Sequence, residues 1–155
     1  MTQNMQRLAD MAAKIAPPGA VTEDEAGFAV DANGTTLEIF SPGEASYAGY
    51  CRAAVARLGD GEFPAAFAEE ALMGNFFWRG TNGAVLSLDE TENAVYLTDR
   101  FDDGAFEDEV AFKAYLDGFL AALGNWRARI ALYVPAADME RPAMPETDDD
   151  GKEVS

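Results

Sequence analysis

The residue types that carry covalent and metal chemistry are nearly missing from this chain. In 155 residues it has one cysteine, Cys51, and no histidine. Without an imidazole there can be no Ser–His–Asp triad, no Cys–His nucleophile pair and no histidine-ligated metal. A lone cysteine cannot close an intramolecular disulfide or build a zinc–thiolate set. Cys51 therefore reads as a small hydrophobe rather than a reactive thiol. Carboxylates are the chemistry that remains: 28 acids stand against 11 bases, a formal charge of −17. At that density acid pairs arise by chance, and since no spacing singles one out, a solvated face accounts for them. The run Asp148-Asp149-Asp150-Gly151 has the composition of a calcium loop. It lacks the ligand spacing over about twelve residues, the closing glutamate and the flanking helices that such a loop needs. Gly59-Asp60-Gly61 lacks the Lys-Ser/Thr that would make it a phosphate cradle. No catalytic residue, cofactor or metal is expected, and the chain is not expected to be an enzyme.

The charge also sorts partners. Nucleic acid and anionic membrane surfaces need a basic face, so both are excluded as partners. A basic protein, or a charged groove on one, fits a strongly anionic surface, and solubility alone is the plainer alternative. With 48% hydrophobic residues, ten phenylalanines, five tyrosines and two tryptophans, the chain can bury a real core. No apolar run at the start is long enough for a signal peptide or a membrane span, so a cytoplasmic location is expected. Length and composition predict one α+β domain over residues 1–134 and a flexible acidic tail over 135–155, where Pro135, Pro142 and Pro145 interrupt any helix.

Several elements can be read from periodicity. Met5, Leu8, Met11, Ala12 and Ile15 form one stripe of a helix over 4–16, ended by Pro17-Pro18-Gly19. A hairpin follows, with Phe28 and Val30 on one strand, Asn33-Gly34 in the turn, and Leu37 and Ile39 on the return strand 35–40. Residues 46–58 fit two patterns. Tyr47, Cys51 and Val55 are spaced for a helix, whereas the alternation from Tyr50 to Leu58 suits a strand, and strand is the expectation because the segment follows a hairpin. A short helix over 63–75 carries Phe67, Ala71 and Leu72 on one side, with Pro64 in its first turn. Strands over 84–88 and 94–100 flank the polar turn 89–93. The last helix, roughly 108–132, has a long stripe from Phe112 through Leu116, Phe119, Leu123 and Trp126 to Ile130. Acids at its start and Arg127 and Arg129 at its end suit the helix dipole.

Two apolar features exceed what a core of this size requires. The first helix is rich in methionine, a flexible and polarizable residue common on surfaces that accept varied partners, although packing on the sheet is the ordinary use of such a stripe. Phe76, Phe77 and Trp78 follow one another, and three consecutive aromatics cannot all point inward, so at least one should be exposed or covered by another chain.

The order helix, three antiparallel strands, helix, two strands, helix, at this size and low pI, resembles the Tir-chaperone family, the class I type III secretion chaperones. The resemblance rests on A-L-M-G-N-F-F at 71–77, G-A-V-L-S-L-D at 83–89, A-V-Y-L-T-D-R-F at 94–101, and the last helix F-K-A-Y-L-D-G-F-L-A-A-L-G-N-W-R-A-R-I at 112–130. The family shows a similar leucine–asparagine end to its second helix, a similar strand ending in Leu-Asp, and a last helix ending near tryptophan. The alanine-rich third segment and the long acidic tail depart from it. The resemblance implies a homodimer that binds an extended N-terminal segment of a secreted effector and keeps it secretion-competent without ATP. It implies a dimer interface from the second helix and the strand after it, here Phe67, Leu72, Phe76, Phe77 and Val85. It also implies effector grooves on the first helix and early strands, here Leu8, Met11, Ile15, Phe28, Val30 and Ile39. The rival expectation is an acidic inhibitor or immunity-type protein that mimics a polyanion for a basic partner.

Overall fold

The structure, a computed structural model, describes residues 1–43 and 47–135. Helix α1 (Gln3–Ile15) starts where the Thr2 hydroxyl accepts the Met5 N–H at 3.1 Å. It ends at Ala16, which Pro17 forces into an extended conformation. Strands β1 (Val21–Glu23), β2 (Gly27–Ala32), β3 (Thr35–Phe40) and β4 (Ala48–Arg57) follow. Next come α2 (Ala65–Asn75), a single 3₁₀ turn at Phe76–Trp78, β5 (Val85–Asp89), β6 (Ala94–Asp102) and α3 (Glu109–Ile130). The six strands form one antiparallel sheet in the order β1-β2-β3-β4-β6-β5. The expected sequence of elements is present with one addition. Four strands rather than three precede α2, because the short β1 pairs with β2 through Thr22 and its neighbours. Three residues are too few for an alternation to show in sequence.

Local chemistry fixes the turns. Asn33 and Gly34 both take positive φ, 56° and 84°, the twist that a tight hairpin needs. The Asp31 carboxylate holds that turn by accepting the Gly34 N–H at 2.7 Å. Residues 48–57 are a strand with a register shift between Ala54 and Ala56, and the helix-like spacing of Cys51 and Val55 is two periods of the strand's own alternation. Cys51, Ala53 and Val55 face the core in strict alternation. The bulge then lets Ala56 be buried as well, so the period of two breaks there.

Helices α1 and α3 cover one face of the sheet. The core between them holds Met5, Leu8, Met11, Phe28, Val30, Leu37, Ile39, Leu97, Phe112, Leu116, Phe119 and Leu123, each buried. Full burial of one such side chain contributes about 1.5–3 kcal/mol. The opposite face carries no helix over its centre. There Phe40 and Tyr50 stack with ring centroids 5.7 Å apart. The Arg52 guanidinium lies over both Phe40, at 5.5 Å, and Tyr96, at 4.9 Å. Arg57 covers Tyr96 from the other side at 5.6 Å. Arg52 pairs with Glu38 at 2.7 Å and Arg57 with Glu92 at 3.2 Å. These cations both neutralise acids and seal a ring that would otherwise face water.

Helix α2 is held at the β5 end by three devices. Phe67, fully buried, packs edge-on against Phe63, Trp126 and Tyr133 with centroids 6.0–6.2 Å away. The edge of the Trp126 indole abuts Gly74, and its N–H donates to the Gly80 carbonyl at 2.8 Å. The Asn75 side chain acts as a substitute strand, donating to the Leu86 carbonyl at 3.0 Å and accepting the Leu86 N–H at 2.9 Å. It thereby caps the backbone of β5 on its outer edge.

Gly74→Ala tests the second device. Alanine favours a helix by about 1 kcal/mol, but a Cβ here would overlap the buried indole ring, and overpacking costs about 1–3 kcal/mol. The clash should win, lowering the urea midpoint. Asn75→Ala leaves two backbone groups of β5 without partners and should cost about 1–3 kcal/mol in the same measurement.

Candidate protein-binding surface

Because Trp126, Phe67 and Asn75 fix the backbone of residues 74–80, the aromatic run has no inward direction left. Phe76 is 63% exposed, Phe77 68% and Trp78 54%. Phe77 and Trp78 both have positive φ, 49° and 56°, which is strained for bulky L residues. The strain holds their rings outward, and Phe76 and Phe77 meet edge-to-face at 4.6 Å. Leu72 and Met73, on the last turn of α2, and Val85 and Leu88, on β5, are also exposed. The result is a set of exposed apolar side chains on α2, the 3₁₀ turn and β5.

Trp78 and Val85 also form part of a cleft of about 1020 Å³ on the helix-free face of the sheet. Its lining also includes Tyr47, Tyr50, Thr98 and Arg100, with the acids Asp99 and Asp102. The Asp99 carboxylate beside it accepts a hydrogen bond from the Tyr115 hydroxyl at 2.7 Å. Burial, with Cys51 and Asp99 nearby, pushes the Tyr115 phenol well above its usual range, so Tyr115 stays a neutral donor. Burial likewise raises the Cys51 thiol, helped by Asp99, so it stays protonated and unreactive.

Of the residues expected at a dimer interface, Leu72, Phe76, Phe77 and Val85 are exposed. Phe67 is not, because it is the anchor by which α2 holds on to α3. Of those expected to meet an effector, Leu8, Met11, Phe28, Val30 and Ile39 come together, but inside this chain's own core between α1 and the sheet. Ile15, at the end of α1, is half-buried. Periodicity identifies a face that must be covered and not the chain that covers it. The sequence reading missed Trp78 as a cleft wall, Asn75 as the β5 cap, and Tyr47, Tyr50 and Arg100. The outward alternation of β4 and the Gly-Asn pair before three aromatics were the available signals. The acidic run 148–150 and the tail lie outside the described residues. Among the described residues, no helix is long and apolar enough to cross a membrane.

Comparison with known proteins agrees with the architecture. The chain matches none of the curated proteins. Several solved structures share its fold, among them chains of three complexes. A chain of the HopA1–SchA chaperone–effector complex superposes with a TM-score of 0.58 at 15% identity, covering 81% of this chain and 94% of that one. A chain of the ExsC–ExsE complex gives 0.60 at 18% identity, covering 83% and 96%. A chain of the heterodimeric ExoU–SpcU complex, from the type III secretion system of Pseudomonas aeruginosa, gives 0.57 at 14% identity, covering 82% and 97%. At these identities the superpositions establish the fold, and the sequence itself supplies the family: residues 46–127, more than half of the chain, match the Tir chaperone protein (CesT) family, to which this chain belongs.

Proposed function

We propose that this chain is a type III secretion chaperone that acts in the cytoplasm as a homodimer. It binds the N-terminal segment of a secreted effector and keeps that segment extended until export, without ATP and without catalysis. The observation that carries this reading is the exposed apolar surface of Leu72, Phe76, Phe77 and Val85, held outward by a rigid backbone in a member of a chaperone family. The solved complexes that share the fold include a chaperone–effector pair, which supports the same partner class here.

The two ends of the sheet are suited to different partners. At β5 the Leu86 backbone is already satisfied by Asn75, so a second copy would engage α2 and β5 through side chains. At the other end β1 has no strand beyond it among the described residues, and an extended segment can add there as a further strand. Ile15 then offers partial contact. The buried Leu8, Met11, Phe28, Val30 and Ile39 form the floor of that region rather than its lining. A polyanion mimic is the competing reading, favoured by the net charge. It gives no use to an apolar surface of this extent.

Light scattering on the purified chain should give twice the mass of the 16.6 kDa protomer. A single-chain mass at micromolar concentration would remove the dimer. Phe76→Glu or Phe77→Glu should convert dimer to monomer, weakening association by at least about 2 kcal/mol, or roughly thirtyfold, as for a central aromatic anchor. Since both side chains are exposed, the thermal midpoint of the isolated fold should hardly move, which separates loss of the interface from unfolding.

A further inference from the structure

We propose that the Asn82–Gly83 turn is a site of spontaneous covalent modification, where the asparagine amide converts to aspartate and isoaspartate and so alters the aromatic surface beside it as the protein ages. The chain holds two Asn-Gly pairs, Asn33–Gly34 between β2 and β3 and Asn82–Gly83 ahead of β5. Both are exposed. Both take positive φ throughout, 56° and 84° in the first pair and 54° and 93° in the second. Glycine has no side chain to shield its backbone nitrogen, which is what the chemistry requires. That nitrogen gives its proton to hydroxide and attacks the carbonyl carbon of the asparagine side chain. The new N–C bond closes a succinimide ring, the bond to the amide nitrogen breaks, and ammonia leaves. Water then opens the ring at either carbonyl. One opening yields aspartate, the other isoaspartate, whose main chain is one methylene longer. Water is consumed and ammonia released, and nothing is oxidised or reduced.

The two turns differ in how the reacting proton is held. The Gly34 N–H donates to the Asp31 carboxylate at 2.7 Å. An anion accepting that bond stabilises the protonated amide and opposes the nitrogen anion that must form. Each pH unit by which it suppresses proton loss slows the reaction about tenfold. Among the described residues the Gly83 N–H meets the neutral carbonyl of Trp78 at 3.4 Å, near the limit of a hydrogen bond, and no carboxylate accepts it. Asp99 and Asp102 line the same cleft as Gly83, and neither is its acceptor. The first turn is protected and the second is not.

Position gives the change a consequence. Gly83 and Trp78 line the cleft together, and Val85 opens β5 two residues on. The bond from Gly83 to the Trp78 carbonyl closes the turn behind the aromatic run. The Asn82 side chain leans on α3, with its Nδ2 3.2 Å from where a Cβ on Gly118 would stand. Isoaspartate at 82 adds a backbone atom and a carboxylate, which breaks both contacts and releases Trp78.

The test is peptide mass spectrometry on the full-length chain held in mildly alkaline buffer, with a parallel sample in urea. In the folded chain the Asn82 peptide should convert about tenfold faster than the Asn33 peptide. In urea Asp31 no longer holds Gly34, and the two rates should converge. Equal rates in the folded chain, or a difference that persists in urea, would overturn the proposal. Asp31→Asn keeps an acceptor and removes the charge, so it should speed conversion of Asn33 and leave Asn82 unchanged; an unmoved Asn33 rate would sink the charge argument. Asn82→Gly tolerates positive φ and has no amide to lose. Trp126 is 1% exposed, so acrylamide quenching of tryptophan fluorescence reads Trp78. Quenching should rise as the wild type ages and stay constant in Asn82→Gly. Identical ageing of the two would remove the effect on the aromatic surface.

Discussion

The indole of Trp126 lies against the backbone of Gly74 and donates its N–H to the carbonyl of Gly80, so both ends of the segment 74–80 are tied to one buried ring on α3. Asn75, inside that segment, is tied in turn to both backbone groups of Leu86. With the backbone held at these points, the side chains of Phe76, Phe77 and Trp78 have nowhere to go but outward. Exposing three aromatics and accepting positive φ at two of them costs free energy that an isolated protomer does not recover. A fold keeps such a feature where another polypeptide completes it.

Electrostatics is arranged around the same surface. On the helix-free face and its rim three arginines, Arg52, Arg57 and Arg100, stand among the acids Glu38, Glu92 and Asp102. Two of them, Arg52 and Arg57, are spent on neutralising Glu38 and Glu92 and on covering Tyr96. Exposed pairs of this kind add little to stability, on the order of 0–1 kcal/mol each. Their effect is on what can approach, since like charge at long range sets association rates and excludes poor partners.

Much of this architecture is legible in the residues themselves. The stripes of α1 and α3 and the Asn33-Gly34 turn are local signals, and local signals survive the absence of tertiary information. The aromatic run at 76–78 announces exposure because no regular element can bury three successive side chains. Residues 48–57 are ambiguous for a physical reason: a spacing of four is also two periods of a strand, so Cys51 and Val55 fit either pattern. The short β1 is invisible because its three residues owe their conformation to pairing with β2. Whose side chains cover a given stripe is a property of the assembled core. Leu8 and Met11 on α1, and Phe28, Val30 and Ile39 on the strands, look from sequence like a face waiting for a partner, and the chain fills it with its own other half. Phe67 and Leu72 look alike on the α2 stripe and part ways only because Trp126 and Tyr133 arrive against one of them.

The asymmetry of the two sheet edges follows from these same contacts. A strand edge offers unpaired backbone groups to any extended chain, which is an asset for holding a non-globular client and a hazard for uncontrolled self-association. The β5 edge, next to the most apolar surface of the molecule, is where such pairing would run on without limit, and there Asn75 takes up the donor and acceptor of Leu86. Association at that end is left to side chains, whose fit is specific and closes after one partner. The β1 edge, distant from the aromatic surface and flanked by the polar residues Thr22 and Glu23, is left unpaired among the described residues. An extended segment added there gains main-chain hydrogen bonds that do not depend on its sequence. A chaperone that must hold a chain before it folds needs that tolerance, and at the opposite edge the Asn75 side chain occupies the Leu86 backbone and leaves less of that edge open.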